Sequence, residues 1–390
     1  MLGSSRSGLV PRSGLHPASD CVTAGDTVGE LVETCAPASP DRRSASPVGS
    51  LDVTDNTSAV MKPVTPGPLP EGITVRTAGA DDVPALLELL RADELAAMGE
   101  TSLSAGEIAE WFDTPRARDR NTALVLERDG VLVGVRRVFR NFDDKYWVQV
   151  AIDRSLPTEL VDELWEVGLE WAERVALTVA AGLGVAGPRL DLWVNEHDAL
   201  TRRHAEGFGF QQVRAFIEMQ IDLDGYVAPE PDPASPVVVR QAEVADDGAT
   251  DLRTMYEVIT DSFRDHFDFQ LRGFEDWIEA KHSDPHADPG HWYLAEIGGE
   301  AVGGLMGHNA YVEVDDAGYI ANLGVLRQGR GRGVAKALLH TSFARYAADG
   351  RVAVKLHVDA ESPTGATHLY ESVGMYRRLV GFDFHKGLGA

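Results

Sequence analysis

Cysteine is nearly absent. The 390 residues hold two, Cys21 and Cys35, both ahead of anything patterned like a core. That excludes a disulfide framework, a thiolate metal site and a cysteine nucleophile, and no metal is expected. Long apolar runs are missing as well: the best, from Val175 to Gly187, is short and made largely of Ala and Gly. A spanning helix needs about 20 apolar residues, so this stretch reads as a buried helix end and loop, and no membrane association is expected. No apolar h-region follows Met1, so a secretory signal is not expected and a cytoplasmic location is. Positive charge is scarce too, with 36 Lys and Arg against 61 Asp and Glu and a net charge of −25. Such a balance opposes binding to nucleic acid, which depends on neutralising phosphates, and favours cationic partners such as an amine. It also makes one local basic cluster informative, that of Arg327, Arg330 and Arg332.

What is present is organised along the chain. Residues 1–70 are rich in Ser, Pro, Thr, Gly and Asp, with no sustained period. They offer too little apolar surface to offset their ordering entropy, so a disordered extension without a catalytic part is expected. Beyond it the chain repeats itself. "VRTAGADD" at 75–82 resembles "VRQAEVADD" at 239–247, and "ALVLERDGVLVGVR" at 123–136 resembles "WYLAEIGGEAVGGLM" at 292–306. Both of the latter read as hairpins: an alternating strand, a turn with Gly, a second strand. "RLDLWVNEHDALTRRHAEGFGF" at 189–210 resembles "AVKLHVDAESPTGATHLYESVGM" at 353–375, each a strand, a loop and a helix ending in Gly. Three matches in one order point to duplication. The expected organisation is an extension at 1–70, a first unit at 71–222, a proline-rich linker at 223–236 and a second unit at 237–388.

One junction carries chemistry. "YIANLGV" at 319–325 reads as a strand, and after a short turn Val334, Ala335, Leu338, Leu339, Phe343 and Tyr346 recur at helical spacing. A glycine-rich turn between a strand and a helix N-terminus suits phosphate, because first-turn N–H groups are unpaired and that end of the helix is positive. Glycines let the backbone approach closely, and nearby arginines add charge. No Walker loop is present, and no acidic residue follows at the distance a dinucleotide fold requires.

The run Arg330-Gly331-Arg332-Gly333-Val334-Ala335 is similar to the Gln/Arg-x-x-Gly-x-Gly/Ala signature of the GNAT superfamily of N-acetyltransferases, and "VDAESPTGATHLYESVGM" resembles that family's second motif. Together these cover about 55 residues, and a fainter pattern extends over 237–388. The resemblance implies an α/β (α+β) fold of two tandem GNAT domains. Each would be a splayed, mixed but mostly antiparallel sheet flanked by helices. It implies acetyl-CoA as co-substrate, a primary amine of a small molecule as acceptor, and direct attack in a ternary complex. A monomer or homodimer is expected.

Carried over by position, the resemblance places Leu323, Gly324 and Val325 on the exposed strand edge that pairs with pantetheine. It places Arg330, Gly331, Arg332, Gly333, Val334 and Ala335 around the pyrophosphate. Tyr370, four residues before Gly374, stands where the family commonly has a tyrosine that protonates the departing thiolate; a packing tyrosine is the plainer alternative. Ser362 replaces an asparagine that often contacts CoA. The base stays open. The usual strand position offers only Tyr319 and Asn322, and the alternatives are Asp265, His266 and Asp268 in "DSFRDHFDF" and His308 at a strand end. His266, Asp268 and Asn322 are expected to line the acceptor side.

The first unit lacks these signatures. "QVAIDRSLPTELVDEL" has no glycine pair, Pro157, Glu159 and Asp162 open its helix, and Ala205 holds the tyrosine position. Acidic residues there would repel pyrophosphate. A degenerate N-half beside an intact C-half resembles tandem members of the family, one of which acylates a cysteinyl amino-glycoside. Two other functions fit parts of the pattern: a non-catalytic acyl-CoA-binding module, and, against the net charge, a nucleic-acid binder using the Gly/Arg turn.

Overall fold

Alternating strands, glycine turns and amphipathic helices follow one another twice along the chain. A computed structural model describes residues 64–101, 103–113, 119–230, 232–244, 250–264, 266, 269–282, 284, 286–361 and 365–389. The N-half contributes β1 (Ile73–Thr77), β2 (Asn121–Arg128), β3 (Val131–Arg140), β4 (Lys145–Ile152), β5 (Arg189–Asn195) and β6 (Gln211–Asp222). The C-half contributes β7 (Val237–Gln241), β8 (Ala287–Ile297), β9 (Glu300–His308), β10 (Ala317–Val325), β11 (Ala353–Asp359) and β12 (Tyr376–Gly387). Helices α1 (Val83–Met98), α2 (Ala105–Asp113), α3 (Thr158–Leu183) and α4 (Ala199–Gly207) belong to the first half. Helices α5 (Thr250–Phe263), α6 (Phe274–His282), α7 (Val312–Asp315), α8 (Val334–Ala348) and α9 (Ala366–Glu371) belong to the second.

Matching details recur in the two halves. The β2–β3 hairpin turns on Asp129 and Gly130 and the β8–β9 hairpin on Gly298 and Gly299, all at positive φ. A two-residue turn of this kind twists with its flanking strands. Arg76 on β1 bonds Asp82 at 2.7 Å and Glu127 at 2.9 Å. Arg240 on β7 bonds Asp251 at 2.6 Å and Glu296 at 2.7 Å. The registers also agree, Arg76 facing Val125 and Arg240 facing Leu294, with the acidic residue two positions further along in each case.

The strands form one sheet in the order β1-β2-β3-β4-β5-β12-β6-β11-β10-β9-β8-β7. Its centre is an exchange. β12, from the C-half, pairs with β5, and β6, from the N-half, pairs with β11, while β6 and β12 pair with each other. The cores follow the strands: Phe384 and Leu388 pack into the N-half core, and Ile217, Met219, Ile221 and Leu223 into that of the C-half. At about 1.5–3 kcal/mol per fully buried large apolar side chain, each half depends substantially on the other's last strand.

Parts of the expected extension and linker pack against the fold. Residues 64–70 do not stand apart with the extension: Val64 and Leu69 pack on the N-half core, and Arg136 and Arg174 each donate to the Pro66 carbonyl at 3.1 Å. The linker is tied down as well, Tyr226 Oη lying 2.8 Å from Nδ1 of His340 on α8. Among the described residues no helix is long and apolar enough to cross a membrane.

Candidate active site

The site begins where a parallel pair comes apart. β10 and β11 share register only from Ala317–Ala353 to Tyr319–Lys355. β10 continues to Val325 against β9 alone, with a bulge between Ile320 and Asn322. From Ile320 onward the β11-facing edge of β10 therefore has no strand register among the described residues, which leaves backbone donors and acceptors for a ligand. The separation point is held from behind. Tyr346 on α8 accepts from the His308 N–H at 2.9 Å, and its hydroxyl lies 3.3 Å from the Tyr319 carbonyl. Gly318 makes room for that ring, since a Cβ there would come within 2.4 Å of it.

After β10 the chain turns into α8. Gly331 and Gly333 have φ of 72° and 82°, a backbone region that side chains resist, and a Cβ at either would meet nothing within 4 Å. Gly333 has no side chain to cap α8, so no N-cap side chain occupies the first-turn N–H groups. Val334, Leu338, Leu339 and Phe343 bury the opposite face of α8 and fix its orientation. The N-half differs at the matching point. Pro157 opens α3, Glu159 sits in the first turn, and no glycine pair intervenes.

The splay and the turn open into a single cavity of about 590 Å³. Leu323, Gly324 and Val325 line it, as do Arg330, Gly331, Gly333, Val334 and Ala335. Arg332 is exposed and outside the wall. Tyr370 on α9 reaches the same cavity and is buried, which pushes its phenol up to about 12. Among the described residues its hydroxyl has no hydrogen-bond partner. Ala205 takes the equivalent place in the N-half. The Phe210 N–H bonds the Ala205 carbonyl at 3.0 Å as the Met375 N–H bonds that of Tyr370 at 3.1 Å.

The acceptor-side residues separate. His266 lines the cavity, its ring 4.5 Å from that of Phe263. Asn322 is buried on β10 but is not part of the wall. His308 is removed from the cavity and held: its Nε2 lies 2.8 Å from Asp284, and its Nδ1 accepts from the Ala310 N–H at 3.2 Å. Ser362, Asp265 and Asp268 lie outside the described residues.

Composition and spacing did not single out His357. It lies on β11, lines the cavity, and has Nδ1 3.1 Å from the Tyr319 hydroxyl. Burial, then the nearby Lys355, lowers its pKa to about 4, so the ring is neutral at ordinary pH. Across the β11–β6 register it faces Glu218, whose Oε2 is 4.0 Å from His357 Nε2 and has no hydrogen-bond partner among the described residues. Burial raises Glu218 to about 7, opposed by Lys355 and Arg378. Arg378 bonds Glu218 at 2.9 Å and also pairs with Glu100 of the N-half. The one signal in the sequence was the alternation of "AVKLHVD", which places Lys355, His357 and Asp359 on one face. Nothing in it revealed that β6 would lie alongside. Among the described residues no group of three or more His, Cys, Asp or Glu could hold a metal ion.

The Acetyltransferase (GNAT) family pattern matches residues 252–375. A mycothiol acetyltransferase of Thermobispora bispora is 30% identical over 206 residues, 52% of this chain and 67% of that protein. One from Mycolicibacterium gilvum is 32% identical over 212 residues, 53% of this chain and 64% of its own length. A GCN5-related N-acetyltransferase from Sphaerobacter thermophilus superposes with a TM-score of 0.68 at 27% identity, over 83% of this chain and 98% of that one. A tandem GNAT protein from the clavulanic acid biosynthesis pathway shares the fold, with a TM-score of 0.59 at 14% identity over 82% of this chain and 99% of its own.

Proposed function

The chain belongs to the GNAT family of acetyltransferases, and from that premise we propose that it moves an acetyl group from acetyl-CoA to a primary amine of a small molecule. The observation that carries this is the shared cavity: the glycine turn, the unpaired edge of β10 and Tyr370 all open into it. The cofactor's pyrophosphate would rest on the N–H groups from Arg330 to Ala335, with Arg330 and Lys336 supplying charge. Its pantetheine would pair with the backbone of Leu323, Gly324 and Val325. Gly331 and Gly333 leave room for that approach.

The acceptor nitrogen attacks the thioester carbonyl, a carbon–nitrogen bond forms, and the carbon–sulfur bond breaks. Tyr370 gives its proton to the leaving thiolate; a phenol held near 12 stays protonated until that charge develops. We place the base at the Tyr319–His357 pair. Neutral His357 takes the proton released by the nitrogen through the Tyr319 hydroxyl, and buried Glu218 stabilises the imidazolium. Direct transfer within a ternary complex suits a chain whose two cysteines lie at 21 and 35, outside the catalytic motifs.

A narrower reading is acetylation of a cysteinyl amino-glycoside, favoured by the mycothiol acetyltransferases at 30% and 32% identity. The test is thiol release from acetyl-CoA against a panel of amines that includes this acceptor. We expect turnover with at least one amine and a fall of about 100-fold or more in kcat for Tyr370→Phe with acetyl-CoA affinity retained, the range for loss of a general acid. An unchanged kcat would remove Tyr370 from the chemistry. Acetyl-CoA binding with no amine turned over would leave a binding module.

A further inference from the structure

The cavity is polar at two ends of opposite sign. Arg330 and Lys336 mark the phosphate end, while Asp383 and Asp359 lie in the wall with the rings of Trp147, Trp193 and Phe216. Asp359 is compensated by Arg214 at 3.8 Å. Asp383 is not fully compensated. It is 6% exposed, one carboxylate oxygen meets His385 Nε2 at 2.9 Å, and the other is buried without a partner among the described residues. Arg214, opposite Asp383 on β6, is drawn to Asp359 and Glu361, and the Trp193 N–H is used by Asn195 at 2.9 Å. Asp383 is part of the cavity wall, and a carboxylate buried with one oxygen unpaired is costly.

Its position limits which donor that is. Asp383 faces Trp193 across the β12–β5 register. The Trp193 ring lies 5.8 Å from Phe216 and 6.4 Å from His357, and His357 lies 5.8 Å from Tyr319. From the strand beside Asp383 the indole reaches over Gly381 towards the Tyr319–His357 pair. A single nitrogen cannot serve both places. Aromatic faces beside a carboxylate attract a cation, and desolvation strengthens that attraction.

We propose that the acceptor is a diamine: one nitrogen reacts beside Tyr319 and His357, and the second, an ammonium, is held by Asp383 among Trp147, Trp193 and Phe216. This rests on the amine-acetyltransferase function proposed above. The acetyl group passes from sulfur to the first nitrogen, which loses one proton, and the anchored ammonium keeps its own.

The test uses the full chain with acetyl-CoA and α,ω-diaminoalkanes of three to six carbons, each against the monoamine of equal length. We expect the best diamine to exceed its monoamine at least about tenfold in kcat/KM. Asp383→Asn should lower diamine turnover at least about tenfold more than monoamine turnover. Trp147→Ala should act in the same direction and serves if Asp383→Asn does not fold, with CoA affinity reporting folding for both. Equal rates for diamine and monoamine, or a preference untouched by these variants, would overturn the proposal while leaving amine acetylation in place. If no amine turns over, titration of the CoA-loaded chain with 1,4-diaminobutane separates the two ideas. Binding weakened by Asp383→Asn keeps the subsite and retires the reaction; no binding retires the subsite.

Discussion

Tyr370 and His357 occupy the same cavity with opposite requirements, and burial serves both. A buried phenol resists losing its proton, and a buried imidazole resists gaining one. The histidine has a consequence that activity does not enter. Its pKa of about 4 lies below the ordinary 6.5, so the unfolded chain takes up the proton first as pH falls. The stability it contributes is complete above about pH 6.5 and is lost as pH falls towards 4. At 1.36 kcal/mol per pH unit, this is on the order of 3 kcal/mol at most. Urea unfolding at pH 7 and pH 4.5 should show a smaller loss for His357→Gln than for the unaltered chain. Equal losses would mean that the ring is not held neutral by the fold. The glycine turn was legible from local spacing, because strand, turn and helix face are written in neighbouring residues, whereas Tyr370 and Leu323 to Val325 were singled out only through the resemblance to the family's motifs. His357, Glu218 and Asp383 were not, because their surroundings come from strands that meet only through long-range pairing.

Among the elements, the turn between β10 and α8 matters most. Its geometry requires positive φ at Gly331 and Gly333, and the space around both is open. Replacing both with alanine should therefore act through backbone strain, about 1–2 kcal/mol per position, rather than through a clash. We expect the acetyl-CoA dissociation constant to rise about tenfold or more with little change in the unfolding temperature after allowance for that strain. Calorimetric titration checks this, and an unaltered constant would move the pyrophosphate elsewhere. The N-half turn differs: Pro157 and Glu159 stand at the head of α3, and an acidic first turn disfavours a bound anion. The hairpins and the strand–turn–helix unit were readable in each half, since alternation and turn glycines are local signals. The short run of β10–β11 pairing that opens the splay was not, because register is decided between strands.

For the whole molecule, the exchange of β6 and β12 makes two similar units into one folding system. Residues 71–222 alone keep β6 without β11 to pair with, and residues 237–388 alone keep β12 without β5. Each fragment would then expose an apolar strand that its partner normally covers. Expressed separately, neither should unfold cooperatively by circular dichroism; mixed, they should regain a single transition. Independent cooperative folding of either would show that the exchange is dispensable. The duplication itself was visible as three matched stretches in one order, while the exchange left no sequence trace because it changes only which strands are neighbours.

The central claim is that one half of this duplicated chain holds the acyl donor and the other does not. Titration calorimetry of the full chain with acetyl-CoA measures it directly. The account predicts saturable binding of one acetyl-CoA per chain, weakened by alanine at Gly331 and Gly333. Two equivalents, none, or one that these substitutions leave unchanged would contradict it.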